Sequence, residues 1–365
     1  MPHNRGVALE FKAAVQAIPA YPVAAGYAHP GPLVRLASNE SPYAPLPEVI
    51  AAASAALQGV NRYPDPASVR LRAALSGRYG VPAERIAVGN GSCDILLAMG
   101  EALLEPGAEL VYAWPSFSVY PQLEAASGAR GIRVALDGRD CHDLDAIARE
   151  VTVATRLVIV CNPNNPTSTA LPLTQIAAFV EGVPSSVCVL IDEAYCEFNL
   201  LDDPDASIEL LDRHPNLVLL RTFSKIYGLC GLRVGYALCG SREVPDALTA
   251  VRQPFFLNSA AQAAALEALA HQDEVARRVE RVAVARVQMH DGLTELGLEP
   301  AASQANFCWF ALGAERDETA IVDGLARQGV LVRAGGALGR DGALRVSYGT
   351  PAENERFLEV LATLL

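Results

Sequence analysis

The chain has 365 residues, 51 % of them apolar and 19 % charged, with a formal net charge of −12 and a pI near 5.0. That length exceeds the ~250–300 residues that a single hydrophobic core usually serves, so one large domain with a smaller companion is expected. The acidic balance excludes the basic footprint of a nucleic-acid binder, and no apolar run approaches the ~18 residues of a membrane span.

The chain opens MPHNRGVALEFKAAVQ, where charges interrupt every apolar run. Neither a signal-peptide core nor an Arg- and Ser-rich transit pattern is present, so a cytoplasmic location is expected. PAYP, HPGP and SPYAPLP are too rich in proline for regular structure. Residues 1–30 are therefore expected to form an arm leading into a large domain over 31–275.

From residue 85 onward short β-branched runs alternate with amphipathic stretches: ERIAV, SCDILLAMGEALL, AELVYAW, LVIVC, SVCVLI, NLVLL and RVGYALC. The alternation predicts an α/β sheet, and strands apolar on both faces predict a sheet covered by helices on both sides. After Asn258 a proline-free stretch keeps helical periodicity to Gly297, with a break expected near His271. NFCWFAL, a helix over ETAIVDGLARQG, the strands VLVRA and ALRVSYG, and a closing helix from Pro351 then predict a small α+β domain over 276–365.

The eight cysteines, Cys93, Cys141, Cys161, Cys188, Cys196, Cys230, Cys239 and Cys308, contain no C-x-x-C pair and mostly lie in or beside apolar runs, which reads as reduced, buried thiols. The six histidines are scattered, and the Cys141–His142–Asp143 run has no second ligand cluster, so it reads as a loop. No metal site is expected.

Functional atoms in an open α/β sheet collect at the carboxyl ends of its strands. After ERIAV comes GNGSCD, whose glycines and serine open a helix and suit a phosphate. After LVIVC comes NPNNPT, after SVCVLI comes DEAY, and after NLVLL comes RTFSK. Each has a plain alternative: GNG lacks the third glycine of a dinucleotide fingerprint, NPNNP is also turn chemistry, and Asp192 and Ser224 are also good helix caps.

Taken together they point to one chemistry. Lys225, flanked by Phe223 and Tyr227 at the edge of a buried sheet, is desolvated and becomes a usable amine nucleophile toward an aldehyde. Asp192 can keep a heterocyclic nitrogen protonated, and Ser92, Ser224 and Arg233 can close around a phosphate. Those needs belong to pyridoxal 5'-phosphate.

SNESPYAP, NRYPD, GNGS, NPNNPT, DEAY, SKIYGLCGLRVGY and LRVSYGT occur in an order and spacing that resemble the fold-type I aminotransferases, and among them the histidinol-phosphate aminotransferases. The likeness runs from about Tyr21 to the last helix. It implies a large domain with a mostly parallel sheet plus a smaller α+β domain, pyridoxal 5'-phosphate as cofactor, small amino-acid and keto-acid substrates, and a homodimer. By that resemblance Lys225 anchors the cofactor and shuttles the substrate proton, Asp192 pairs with the ring nitrogen, and Tyr195 and Asn165 bond the ring oxygen. Phe117 stacks on the ring, Gly91, Ser92, Cys93, Ser224 and Arg233 line the phosphate, and Tyr63 reaches the cofactor of the other subunit. Arg345 matches the arginine that binds the α-carboxylate, and Tyr21, Asn90 and Arg333 match positions that hold the substrate's phosphate and side chain.

The chain departs from the family pattern at Ser168, where NPTG is usual, and at Asp94, where GS-x-E is usual. The resemblance implies transamination between glutamate and imidazole-acetol phosphate in histidine biosynthesis, with Arg333 and Tyr21 shaping a pocket for both anions. The alternatives are an aromatic amino-acid aminotransferase, a phosphothreonine decarboxylase, and a non-catalytic cofactor-binding sensor.

Overall fold

The computed structural model describes Gln16 and residues 31–365. Tyr21 and, apart from Gln16, the expected arm lie outside the described residues.

The apolar runs become strands β1 (Val34–Arg35), β2 (Ile86–Gly89), β3 (Glu109–Trp114), β4 (Arg130–Ala135), β5 (Thr155–Cys161), β6 (Cys188–Asp192), β7 (Leu217–Thr222) and β8 (Gly235–Cys239). Seven of these form one sheet in the order β2-β8-β7-β6-β5-β3-β4. β8 runs antiparallel to both of its neighbours and the other pairings are parallel.

The alternation of side chains along a strand explains why these runs are apolar throughout. Val158, Val189, Ile191, Leu217 and Leu219 enter one core, while Leu157, Ile159, Leu190, Val218 and Leu220 enter another on the opposite face. The helix Ser259–Ala270 helps to fill the first core and the helix Ser92–Leu103 the second. This is the mostly parallel, helix-covered α/β sheet read from the sequence.

The stretch after Asn258 folds as two helices, Ser259–Ala270 and Gln272–Glu295, separated at His271 as expected. Asn258 caps the first by accepting the N–H of Ala261. Beyond them lie β9 (Phe307–Ala311), β10 (Val330–Leu331), β11 (Arg333–Ala334) and β12 (Ala343–Ser347). β11, β12 and β9 make a three-stranded antiparallel sheet, with the helices Glu318–Arg327 and Pro351–Ala362 packed nearby over a third core.

One pairing is invisible in the sequence pattern. β1 pairs in parallel with β10, Val34 opposite Val330, so the chain just after residue 31 is stitched to the carboxy-terminal unit before it enters the large sheet. That pairing carries residues 36–40 across the junction between the two units.

Arg221 on β7 is 1 % exposed. Its guanidinium donates to Glu193 at 2.8 Å, to Asp205 at 2.7 Å and to the carbonyl of Pro204 at 2.5 Å. Removing the guanidinium leaves the Glu193 carboxylate buried without compensation, whereas the partly exposed Asp205 keeps Arg78 at 2.7 Å. Arg221→Leu should lower unfolding free energy by about 3–5 kcal/mol, measured by urea denaturation; a loss under about 1 kcal/mol would show that water replaces the guanidinium.

Candidate active site

The carboxyl ends of β2, β5, β6 and β7 and the start of β8 meet at one edge of the large sheet, facing the three-stranded sheet. A cavity of about 360 Å³ lies there, walled by Phe117, Asp192, Tyr195, Lys225 and Arg233 from the large unit and Arg345 from β12. Ser92, Cys93, Asn165 and Ser224 also line it.

Asp192, the last residue of β6, is 3 % exposed. It accepts the Tyr120 hydroxyl at 2.8 Å and the N–H of Ala194 at 3.2 Å. Burial raises its carboxyl to about 6, against the lowering effect of these bonds. The carboxylate thus faces the cavity in need of a cationic or N–H partner.

Lys225 donates from Nζ to the carbonyls of Ser38 at 3.2 Å and Asn39 at 3.1 Å. Burial, and then the charge of Arg345, lower its amine to about 8. A large share of a lysine in that state is neutral at mildly alkaline pH, as a nucleophile or base must be.

Asn39 is the member of this group that sequence reasoning missed. It is buried at a φ of 52°, a left-handed conformation that asparagine tolerates better than most residues. Its N–H donates to Ser347 Oγ at 2.8 Å, and its side-chain amide donates to the Tyr195 hydroxyl at 3.0 Å. The Tyr195 oxygen accepts that bond, so its own O–H is left to point elsewhere. SNESPYAP contains this asparagine, but nothing local marks it off from a turn residue. Tyr120, Thr222 and Glu40 were missed for the same reason.

Arg345 donates to Asn165 Oδ1 at 2.6 Å and to the carbonyl of Ala37 at 2.7 Å. With its oxygen engaged, Asn165 has its amide N–H groups for another partner. Ser168 adopts a φ of 60°, so the position where glycine is usual keeps its left-handed backbone despite the side chain.

Arg233 also sits in the left-handed region, at a φ of 58°, and donates to the Cys230 carbonyl at 2.8 Å. A Cβ on Gly91 would fall 2.6 Å from Arg233 Nη2, and one on Gly235 would fall 2.5 Å from the N of Ser92. Glycine at these positions lets the guanidinium close over the start of the helix Ser92–Leu103, which has no side-chain cap. Thr222 Oγ1 donates to Ser224 Oγ at 2.9 Å. Uncapped N–H groups, two hydroxyls and a guanidinium form an anion cradle, and with Asp192 and Lys225 on the same cavity the residues fit pyridoxal phosphate.

Not every expected residue lines the cavity. Asn90 is exposed, and its backbone N–H donates to Asp94 at 3.0 Å. Arg333 is 5 % exposed, stands opposite Arg345 across β11 and β12, and donates to the Ala37 carbonyl at 3.4 Å, the same carbonyl that Arg345 bonds. Tyr63 is 80 % exposed and stacks on Phe255 at 4.4 Å. All eight cysteines are free thiols. Among the described residues, no group of three or more His, Cys, Asp or Glu side chains is placed to hold a metal ion, and no helix is long and apolar enough to cross a membrane.

Residues 32–361 match the family model for aminotransferase class I and II. The aromatic amino acid aminotransferase of Cutibacterium acnes is 41 % identical over 337 residues, covering 92 % of this chain and 94 % of that protein. Histidinol-phosphate aminotransferase 1 of Cupriavidus pinatubonensis is 44 % identical over 335 residues, covering 91 % of this chain and 88 % of its own. The crystal structure of histidinol-phosphate aminotransferase from Sinorhizobium meliloti in complex with pyridoxal-5'-phosphate superposes with a TM-score of 0.87 at 29 % identity, over 97 % of this chain and 98 % of that one. The chain is therefore a member of the class I and II aminotransferases, with the fold-type I architecture and pyridoxal phosphate as its cofactor.

Proposed function

We propose that this aminotransferase acts on aromatic amino acids, exchanging their amino group with a keto acid. The observation that carries the reading is the charge inventory of the cavity wall. Its cations among the described residues are Lys225, Arg233 and Arg345. Lys225 serves the carbonyl chemistry, Arg233 a cofactor phosphate and Arg345 an α-carboxylate, which matches a substrate whose side chain carries no charge. The naming of the Cutibacterium relative supports the same choice.

When bound, pyridoxal phosphate supplies an aldehyde that condenses with amines and a ring that accepts the electron pair of a broken C–H bond. The chain's residues do the rest. Arg345 presents a planar fork to the α-carboxylate and so fixes which face of the α-carbon meets Lys225. The Lys225 amine, lowered to about 8 by burial, takes the α-proton and returns it at the product's position. Asp192 would hold a ring N–H, and Tyr195 and Asn165 would donate to a ring oxygen. Phe117 would cover a flat ring, while Ser92, Ser224 and Arg233 would hold the phosphate. The exposure of Tyr63, stacked on Phe255, supports reading the active form as a homodimer in which Tyr63 reaches the cofactor of the other subunit.

A second reading, histidinol phosphate as substrate, is supported by the Cupriavidus relative and the Sinorhizobium structure. It requires a further anion site, for which Arg333 and Tyr21 are the sequence candidates. With one keto acid as acceptor for both, kcat/KM for phenylalanine should exceed that for histidinol phosphate by at least about tenfold. The opposite order would replace the first reading by the second.

Lys225→Ala should cut turnover at least about a thousandfold, and borohydride should fix the cofactor to the peptide containing Lys225 in the unaltered enzyme. Recovery of the label on a different lysine by mass spectrometry would refute the assignment.

The Asp192 carboxyl is raised from 3.8 to about 6 in the folded chain, so its contribution to stability is present below pH 4 and is lost as pH rises through about 6. Asp192→Asn should therefore stabilise the cofactor-free protein at pH 8 by up to about 3 kcal/mol, with the gain shrinking toward pH 5, while weakening cofactor retention. Denaturant melts at the two pH values test this, and a variant less stable than the parent at pH 8 would count against it.

A further inference from the structure

The Cys141–His142–Asp143 run has no part in the chemistry above, yet the structure does not leave it as a plain loop. Asp143 caps the helix Leu144–Arg149 by accepting the N–H of Ala146. His142 turns inward and is 4 % exposed. Its Nε2 lies 3.1 Å from Asn164 Oδ1.

The orientation of the Asn164 amide is set by its other bonds. Its Nδ2 donates to the Pro115 carbonyl at 3.2 Å and to Thr167 Oγ1 at 2.8 Å, which puts Oδ1 toward His142. The same Oδ1 accepts the Ser116 hydroxyl at 2.8 Å. His142 must then carry its proton on Nε2 and donate it. Its Nδ1 is buried with no hydrogen-bond partner among the described residues, so a second proton there would have no acceptor among them.

Ser116 precedes Phe117, the aromatic wall of the cavity, and Asn164 precedes Asn165, the amide wall. The two loops leave different strands, β3 and β5, and this one amide oxygen joins them. Two donors saturate it, and with both present the Asn164 side chain has one orientation.

We propose that His142 is a positioning residue, which locks the Asn164 amide and thereby holds Phe117 and Asn165 at a fixed separation on the cofactor. The proposal rests on the roles given above to Phe117 and Asn165, and it extends to a residue that touches neither cofactor nor substrate.

The test uses the holoenzyme and three variants: His142→Leu, which fills the space without a donor; His142→Gln, which restores an N–H; and Ser116→Ala, which removes the other donor. His142→Leu should lower kcat roughly tenfold, as expected for one buried hydrogen bond, with KM for the amino acid within about twofold. It should also change the visible circular dichroism of the bound cofactor. His142→Gln should recover most of both signals, and Ser116→Ala should reproduce the dichroism change should the leucine variant not fold. Dichroism and kcat unchanged in His142→Leu, or leucine and glutamine variants alike, would overturn the proposal, since loss of packing alone affects thermal stability without that rescue. The dichroism signal does not depend on which amino acid is the substrate, so an error in substrate choice leaves it intact. Phe117→Ala serves as the control for the wall itself. A changed spectrum there with an unchanged one in His142→Leu rejects His142 alone, whereas no change in either rejects the role of Phe117 as well.

Discussion

Everything in this site depends on keeping the amine of Lys225 out of water while giving it partners that do not fix its charge. The two carbonyls of Ser38 and Asn39 do this: they accept from Nζ but carry no full charge, so burial still pulls the amine down to about 8. A carboxylate in their place would have held the lysine protonated. The nearest strong electrostatic influence is instead another cation, Arg345, which pushes in the same direction as burial.

That arrangement makes Asn39 a junction. It belongs to the segment that β1 ties to the carboxy-terminal unit, its N–H and side chain bond Ser347 of β12, and its amide reaches Tyr195 in the large unit. Its own carbonyl holds the lysine. The small unit thus touches the lysine through Asn39 and the amide of Asn165 through Arg345. Arg345 and the lysine amine are linked by these contacts as well as by charge.

The sheet supplies the rigidity that this requires. Strands apolar on both faces leave no polar surface except at their ends, so Asp192 and the residues following β7 project from a frame packed on both sides. Arg221 shows how strictly the opposite surface is managed, with its guanidinium satisfied by two carboxylates and a carbonyl. Residues held by a frame of this kind keep a fixed separation, which transamination needs because one amine serves two carbon positions in turn.

The covered α/β sheet was legible in LVIVC, SVCVLI and NLVLL because burial on both faces leaves a local mark, an unbroken apolar run. Lys225 and Arg233 stood out because their shared motif pairs cations with glycines that only close packing explains, and Asp192 because it ends an unbroken apolar run. The histidine at 142 was not: a loop motif of Cys, His and Asp reads the same whether its ring faces solvent or core. Nor was the pairing of Arg333 with Arg345, since only the register of β11 against β12 sets the two guanidinium groups on one carbonyl. The sequence by itself determined the sheet, the chemistry class and the cofactor, all of which rest on short-range patterns. Only the tertiary structure decided which buried polar groups share a partner and that Asn39 bridges the units, because those outcomes depend on contacts between residues from tens to hundreds of positions apart.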